Sequence, residues 1–274
     1  MSPAPAPGAP GFQAIRFQGR ALDIEYRIIP AARPDAEWLV FLHEGLGSLS
    51  MWKDWPERLC AAVQCRGLVY SRAGYGASTP RAPGERWPVE FMHRQADEAL
   101  PALLDALGLG AEKPILFGHS DGASIALLHA ALHPGRVRAV AVAAPHIFVE
   151  DVTLASIERA RAAYLHTDLP HRLGRYHQDP DSAFWGWNDV WLDPAFRDWN
   201  IEPALADIRC PVLAIQGRDD EYGTLKQIYG IRRKLPQTEL CIIEQCGHSP
   251  HKDQPAAVLE AMAAFVGRLR DSRG

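Results

Sequence analysis

Apolar residues recur along this chain in two rhythms, and each predicts its own kind of element. Residues 12–17 and 21–29 alternate apolar and polar positions: Phe12, Ala14, Ile15 and Phe17, then Leu22, Ile24, Tyr26 and Ile28. That is the period of a strand with one covered face, and the two runs predict an antiparallel hairpin at a sheet edge. The runs 38–42, 68–70, 114–117, 137–143, 212–215 and 239–243 are short and mostly apolar, as for strands covered on both faces. Between them, residues 51–65, 90–107, 123–133, 224–235 and 254–269 carry helical spacing. Repeated strand–helix units predict an α/β fold with a doubly wound, mostly parallel sheet. Such sheets take ligands beyond the carboxyl ends of their strands.

The alternation stops over residues 146–205, which are dense in aromatics: Tyr164, Tyr176, Phe184, Trp185, Trp187, Trp191, Phe196 and Trp199. Four of the eight tryptophans fall between 185 and 199, so this stretch has its own packing. It is expected to be an inserted helical cap, with 11–145 and 206–274 forming the core. Residues 1–10 are rich in proline and have neither the basic nor the apolar region of a signal peptide. They are expected to be a disordered leader.

Composition narrows the function classes. A net charge of −4 gives no electrostatic footprint for nucleic acid or an anionic membrane. No apolar run approaches the length of a membrane span. The five cysteines are an odd number without metal-type spacing, and with no export signal they suggest reduced thiols in the cytoplasm. The expected partner is a small-molecule substrate.

Chemistry concentrates after the run 114–117, at Gly118-His119-Ser120-Asp121-Gly122, which a helix-spaced, alanine-rich segment follows. Strand, Gly-x-Ser-x-Gly, helix is the setting of a nucleophile elbow. So tight a turn strains the backbone of Ser120 and requires small residues two positions to either side. The hydroxyl then stands at the carboxyl end of the strand, where the first helix amides also point. A serine nucleophile needs a base, and the base needs an orienting acid. In the order Ser, Asp, His, each partner follows a later strand. Gln216-Gly217-Arg218-Asp219-Asp220 follows 212–215, and Cys246-Gly247-His248-Ser249-Pro250 follows 239–243.

Elbow, acid loop and Gly-His loop, in this order and with a cap-sized insertion, resemble the α/β-hydrolase family over about residues 20 to 270. The loop 71–78 is similar to the family's Asp-x-Arg-Gly-x-Gly-x-Ser, with Ser71 in place of the acid and Ala73 in place of the arginine. The resemblance implies a triad of Ser120, His248 and Asp220. Asp220 stands three residues after Gly217, and Asp219 is the neighbouring alternative. His248, rather than His251, matches the family position. The oxyanion hole would use the backbone amides of Asp121 and of Gly45, with Leu46 next in line, because His43-Glu44-Gly45 corresponds to the family's His-Gly-x-x-Gly. Glu44 replaces a glycine there and is expected to point away and brace the loop. Trp185, Trp187 and Trp191 of the cap are expected at the substrate pocket.

The implied activity is that of a serine hydrolase on a small ester or related acyl substrate, without cofactor or metal. The same triad also serves carbon–carbon bond hydrolysis in aromatic catabolism and thioester cleavage, and family members can act as ligand receptors. His129 and His133 have metal-capable spacing but no third ligand in view; a helix end before Pro134 accounts for them. His166, His171 and His177 read as solvated cap surface. Gly45-x-Gly47 and Gly74-x-Gly76 lack the third glycine of a dinucleotide fingerprint.

Overall fold

In the computed structural model, which describes residues 8–33 and 35–272, the two rhythms become eight strands. These are β1 (Gly11–Phe17), β2 (Arg20–Ile29), β3 (Trp38–Leu42), β4 (Arg66–Tyr70), β5 (Ile115–His119), β6 (Ala139–Ala143), β7 (Val212–Gly217) and β8 (Glu239–Ile243). They form one sheet in the order β1-β2-β4-β3-β5-β6-β7-β8. β1 pairs with β2, and β2 with β4, antiparallel; every other pair is parallel. The expected hairpin is therefore the sheet edge. Phe12, near the start of the outermost strand, stays exposed. Of the expected leader, residues 1–7 lie outside the described residues; 8–10 form a turn and bend into β1.

Why the central runs show no alternation is visible in their burial: every residue of β3, β5 and β6 is buried. Val40, Leu42, Leu116, Val140, Val142 and Ala214 pack on one face. Leu39, Phe41, Ile115, Phe117, Ala141 and Ile215 pack on the other. The second face is covered by α1 (Trp55–Val63) and the C-terminal helix, through Leu59, Val63, Val258, Met262 and Phe265. Each large aliphatic or aromatic side chain so buried contributes about 1.5–3 kcal/mol.

The segment 90–107, expected as one amphipathic helix, is helical but broken. α2 (Phe91–Arg94) passes through a π-helical turn, Gln95–Ala99, into α3 (Leu100–Ala106). Pro101 lies two residues past that turn. It has no amide to give to the regular ladder, so the pitch widens before it. α4 (Asp121–Leu132) follows β5 directly and is buried on nearly every side. The segment 146–205 holds α5 (Asp151–His166), α6 (Leu169–Leu173), α7 (Pro180–Trp191), a 3-10 turn Pro194–Asp198 and α8 (Glu202–Leu205). α9 (Lys226–Lys234), α10 (Pro250–Asp253) and α11 (Pro255–Asp271) complete the chain.

After β3 the chain winds to β4 on one side, then crosses back to β5 on the other. The crevice at the carboxyl ends of β3 and β5 is the switch point where such sheets take ligands. Among the described residues, no helix is long and apolar enough to cross a membrane.

Candidate active site

The elbow places its serine by strain. Ser120 has φ +53° and ψ −119°, a region a side-chain-bearing residue enters only when its surroundings force it, at a cost of order 1–3 kcal/mol. The surroundings are two close approaches. A Cβ on Gly118 would overlap the Gly122 carbonyl and Ala123 Cα, and one on Gly122 would overlap the Leu42 carbonyl at the end of β3. The Ser120 amide donates to Ala143 O at 3.0 Å, fixing the turn to β6.

Three side chains from three loops then line up. His248 Nε2 lies 2.9 Å from Ser120 Oγ, and His248 Nδ1 lies 2.8 Å from Asp220 Oδ1. An ionised carboxylate only accepts, so Nδ1 carries the proton and Nε2 takes the Ser120 hydroxyl hydrogen. Asp220 is itself held. Its Oδ1 accepts from the amides of Tyr222 (2.8 Å) and Gly223 (3.1 Å), and its Oδ2 from Gln216 Nε2 (3.1 Å). Burial works to raise the Asp220 pKa, but the bonds from His248 and the Tyr222 amide outweigh it and leave the carboxyl below its ordinary value. Asp219 is exposed; its amide bonds to Cys246 O. His251 is buried against Trp52, Trp55 and His119 instead.

The loop after β3 is a turn closed by the Gly47 amide on Glu44 O at 3.0 Å. That leaves the amides of its two central residues, Gly45 and Leu46, out of the closing bond. Both residues line the cavity that holds Ser120, as does Asp121 at the start of α4. Glu44 does not point away from the site. It lines the same cavity, with Oε2 3.5 Å from His119 Nδ1 and Oε1 3.7 Å from Lys252 Nζ. Its loop turns so sharply that the carboxylate folds back over Gly47. Beneath the loop, His43 and Arg72 are wholly buried. His43 Nδ1 donates to Glu44 O (2.7 Å) while Nε2 accepts the Arg72 amide (3.0 Å), and the Arg72 guanidinium donates to Glu44 O (3.0 Å). Ser71, where the resembling loop would hold an acid, donates to Glu25 Oε2 of β2 at 2.7 Å, so a carboxylate is supplied from another strand.

The roof is α7. Asp179 caps it by accepting the Ser182 amide at 2.8 Å. Trp187 and Trp191, four residues apart on one helical face, line the cavity. Trp191 Nε1 donates to Asp121 Oδ1 at 3.1 Å, and Trp187 sits so close to Gly45 that any Cβ there would overlap its ring. Trp185, expected with them, does not reach the cavity. Two residues from Trp187 it faces the other side of the helix, packed on Tyr164 and Phe184. His177, expected at the surface, is buried. Its Nδ1 accepts the Gly76 amide and its Nε2 donates to Leu46 O, both at 3.0 Å. Beside it Gln178 N donates to Gly76 O (2.8 Å), and Tyr176 accepts from Lys53 Nζ (2.7 Å). This three-residue segment clasps both glycine-rich loops.

The cavity is about 190 Å³, small against typical ligand pockets of roughly 300–1,000 Å³. Ile157, Thr153, Tyr222 and His146 complete much of its wall. Sequence reasoning missed His146, which follows β6 in Ala144-Pro145-His146 without any motif around it. Among the described residues, no group of three or more His, Cys, Asp or Glu side chains is placed to hold a metal. His129 Nδ1 is 2.8 Å from Ala96 O, and His133 Nε2 is 3.1 Å from Asp97 Oδ1.

Comparison with known proteins adds to this geometry. The sequence model described as "Alpha/beta hydrolase family" matches residues 39–261. The protein named carbamate hydrolase RutD in Pseudomonas savastanoi pv. phaseolicola is 25% identical, over 83% of this chain and 93% of its own length. The 2-hydroxy-6-oxo-6-phenylhexa-2,4-dienoate hydrolase of Burkholderia cepacia is 23% identical, over 77% of this chain and 81% of its own. Among solved structures, the esterase EaEST from Exiguobacterium antarcticum superposes with a TM-score of 0.72 at 18% identity, over 93% of this chain and 99% of its own, a likeness of fold.

Proposed function

The chain belongs to the alpha/beta-hydrolase family, and from that premise we propose that it is a serine hydrolase that cleaves a small carboxylic ester through an acyl-enzyme. The observation that carries this reading is the unbroken run Ser120 Oγ, His248, Asp220 at the wall of one cavity. As Ser120 Oγ attacks the ester carbonyl, its proton passes to His248 Nε2, and Asp220 stabilises the imidazolium. The amides of Asp121 and Gly45 receive the developing oxyanion. His248 returns the proton to the leaving alcohol as the C–O bond breaks. Water, deprotonated by the same nitrogen, then hydrolyses the acyl-Ser120 ester and frees the acid. The reading extends to a cytoplasmic setting, supported by five cysteines that all stand free.

An ester is favoured over carbon–carbon cleavage by charge. The Burkholderia relative's named substrate is a carboxylate. The cavity here is walled by Glu44, Asp121 and Glu221; Lys252 faces Glu44 and Arg72 faces Asp121 from behind, and neither cation lines the cavity. A fluorophosphonate should modify Ser120 in one-to-one ratio, read by peptide mass, and para-nitrophenyl acetate should turn over with an initial burst. An adduct on another residue would refute the nucleophile. Labelling without turnover of any ester would refute the ester substrate and leave carbon–carbon or thioester cleavage, or a receptor role.

The two faces of α7 give a second expectation. Trp187→Ala enlarges the cavity and should move kcat/KM toward longer acyl chains by about 10-fold, the scale of one or two methylenes in an apolar pocket. Trp185→Ala should leave the chain-length profile unchanged. Equal profiles for the two variants would contradict the assignment of faces.

A further inference from the structure

His146 is held in place with unusual care for a side chain that bonds to nothing. Ala144, with φ +49°, turns the chain out of β6, and its amide is tied to Ile215 O at 2.8 Å. The His146 carbonyl accepts from Ser124 Oγ of the elbow helix (2.6 Å), and the next amide, Ile147, donates to Gln227 Oε1 (2.7 Å). The ring packs edge-on to Trp191 at 5.1 Å and lies 5.6 Å from the His248 ring, centroid to centroid. Gly223 lies alongside the ring, where a Cβ would make an ordinary van der Waals contact with His146 Cε1 at 3.4 Å. The residue is 2% exposed and lines the cavity.

Its side chain has no hydrogen-bond partner. Nδ1 is buried and unpaired, and the ring's other nitrogen is the one left to face the cavity. Burial pushes the His146 pKa down to about 3, with the neighbouring His248 adding to the effect, so the ring is neutral and carries one N–H. A buried orphan N–H is rarer than a buried orphan lone pair. The tautomer with the lone pair on the buried Nδ1 is the one that leaves an Nε2–H to offer to the cavity. A substrate acceptor that reaches Nε2 gives this ring a hydrogen bond that no protein group supplies.

We propose that His146 is a specificity-determining residue, which donates a hydrogen bond from Nε2 to an acceptor oxygen carried by the substrate's acyl chain near the scissile carbonyl. The preferred substrates are then oxygenated acyl esters, such as alkoxy, keto or hydroxy acids, rather than plain hydrocarbon acids. The inference rests on the esterase reading, because it assumes that an acyl chain occupies this cavity.

The test uses two near-isosteric pairs of para-nitrophenyl esters, butyrate with methoxyacetate and pentanoate with 3-methoxypropanoate. Rates are divided by those of hydroxide hydrolysis to remove intrinsic reactivity. The intact protein should favour the oxygenated member of at least one pair by about 10-fold in kcat/KM. His146→Phe, which keeps a ring beside Trp191, should remove that preference by costing the oxygenated member about 10-fold more in kcat/KM than its hydrocarbon partner. His146→Gln, which restores a donor, should recover some of it. Fluorophosphonate labelling of Ser120 reports whether each variant keeps an assembled site. Absence of preference in the intact protein overturns the proposal, even if neither variant folds. Equal loss on both members of a pair, or a preference that survives in His146→Phe, also overturns it. Failure of the esterase reading is distinguishable, because then the intact protein hydrolyses none of the four esters.

Discussion

Asparagine at position 220 should lower kcat on the best ester by about 10⁴-fold, the loss expected if Asp220 is the acid that orients a catalytic histidine. The surroundings of Asp220 leave the amide no good seating. With its oxygen toward His248, the NH2 group faces the Gln216 Nε2 donor, and the imidazolium loses the charge that stabilises it. With its NH2 toward His248, the wrong tautomer is selected and the donors from Tyr222 and Gly223 meet another donor. Asp219→Asn changes an exposed side chain whose anchoring to Cys246 runs through its backbone; it costs about 10-fold at most. Single-turnover kcat on the two variants, with Ser120→Ala as the floor, makes the comparison. The reverse ordering would move the acid to Asp219.

Acidification should unfold the protein well before its carboxylates titrate. His43, His129, His146 and His251 are all nearly or wholly buried, and burial lowers each pKa: to about 4 for His129, to about 3 for His146, and well below the ordinary value for the other two. An unfolded histidine titrates near ~6.5. Between that value and the folded one, the unfolded chain binds more protons, so stability is present above about pH 6.5 and drains away as the pH falls. From pH 7 to pH 5, His129 and His146 each remove about 2 kcal/mol. His43 and His251 act in the same direction. Asp220 and Glu44, both held below their ordinary values, contribute in the same sense only below about pH 4. Asp121, raised by burial, opposes them. Against a total stability of about 5–15 kcal/mol, the histidines alone shift the urea midpoint steeply. Urea titrations at pH 7, 6 and 5 measure this, and a midpoint unchanged across that range would show that these histidines are not buried in the neutral form.

What can be read from the sequence is whatever is encoded locally or by order. Gly118 to Gly122 announces itself because one strained serine imposes its neighbours, and the acid and Gly-His loops are found because each follows a strand. Asp220 is separable from Asp219 through the family resemblance, which puts the acid three residues after Gly217. What escapes depends on partners far along the chain. Nothing around His146 marks it, since its role comes from Trp191, Ser124 and Gln227. Trp185 resembles its neighbours because composition does not say which face of α7 looks down. His177 reads as surface because its partners are backbone atoms of Leu46 and Gly76, which have no sequence signature. The carboxylate that anchors Ser71 is invisible for the same reason: it is Glu25, from another strand.

The clasp of Tyr176, His177 and Gln178 sets a limit on how this enzyme can be re-engineered. The segment 146–205 looks like a cassette with two ends, and exchanging it would be a direct way to change the cavity. It is not self-contained. His177 holds the carbonyl of Leu46, next door to Gly45, and His177 and Gln178 together hold both sides of the Gly76 peptide. A replacement segment with another residue at 177 would free the Leu46 carbonyl and leave the loop beside Gly45 held only through Glu44. The graft that keeps these bonds moves three segments at once, with residues 43–48 and 71–78 travelling alongside 146–205.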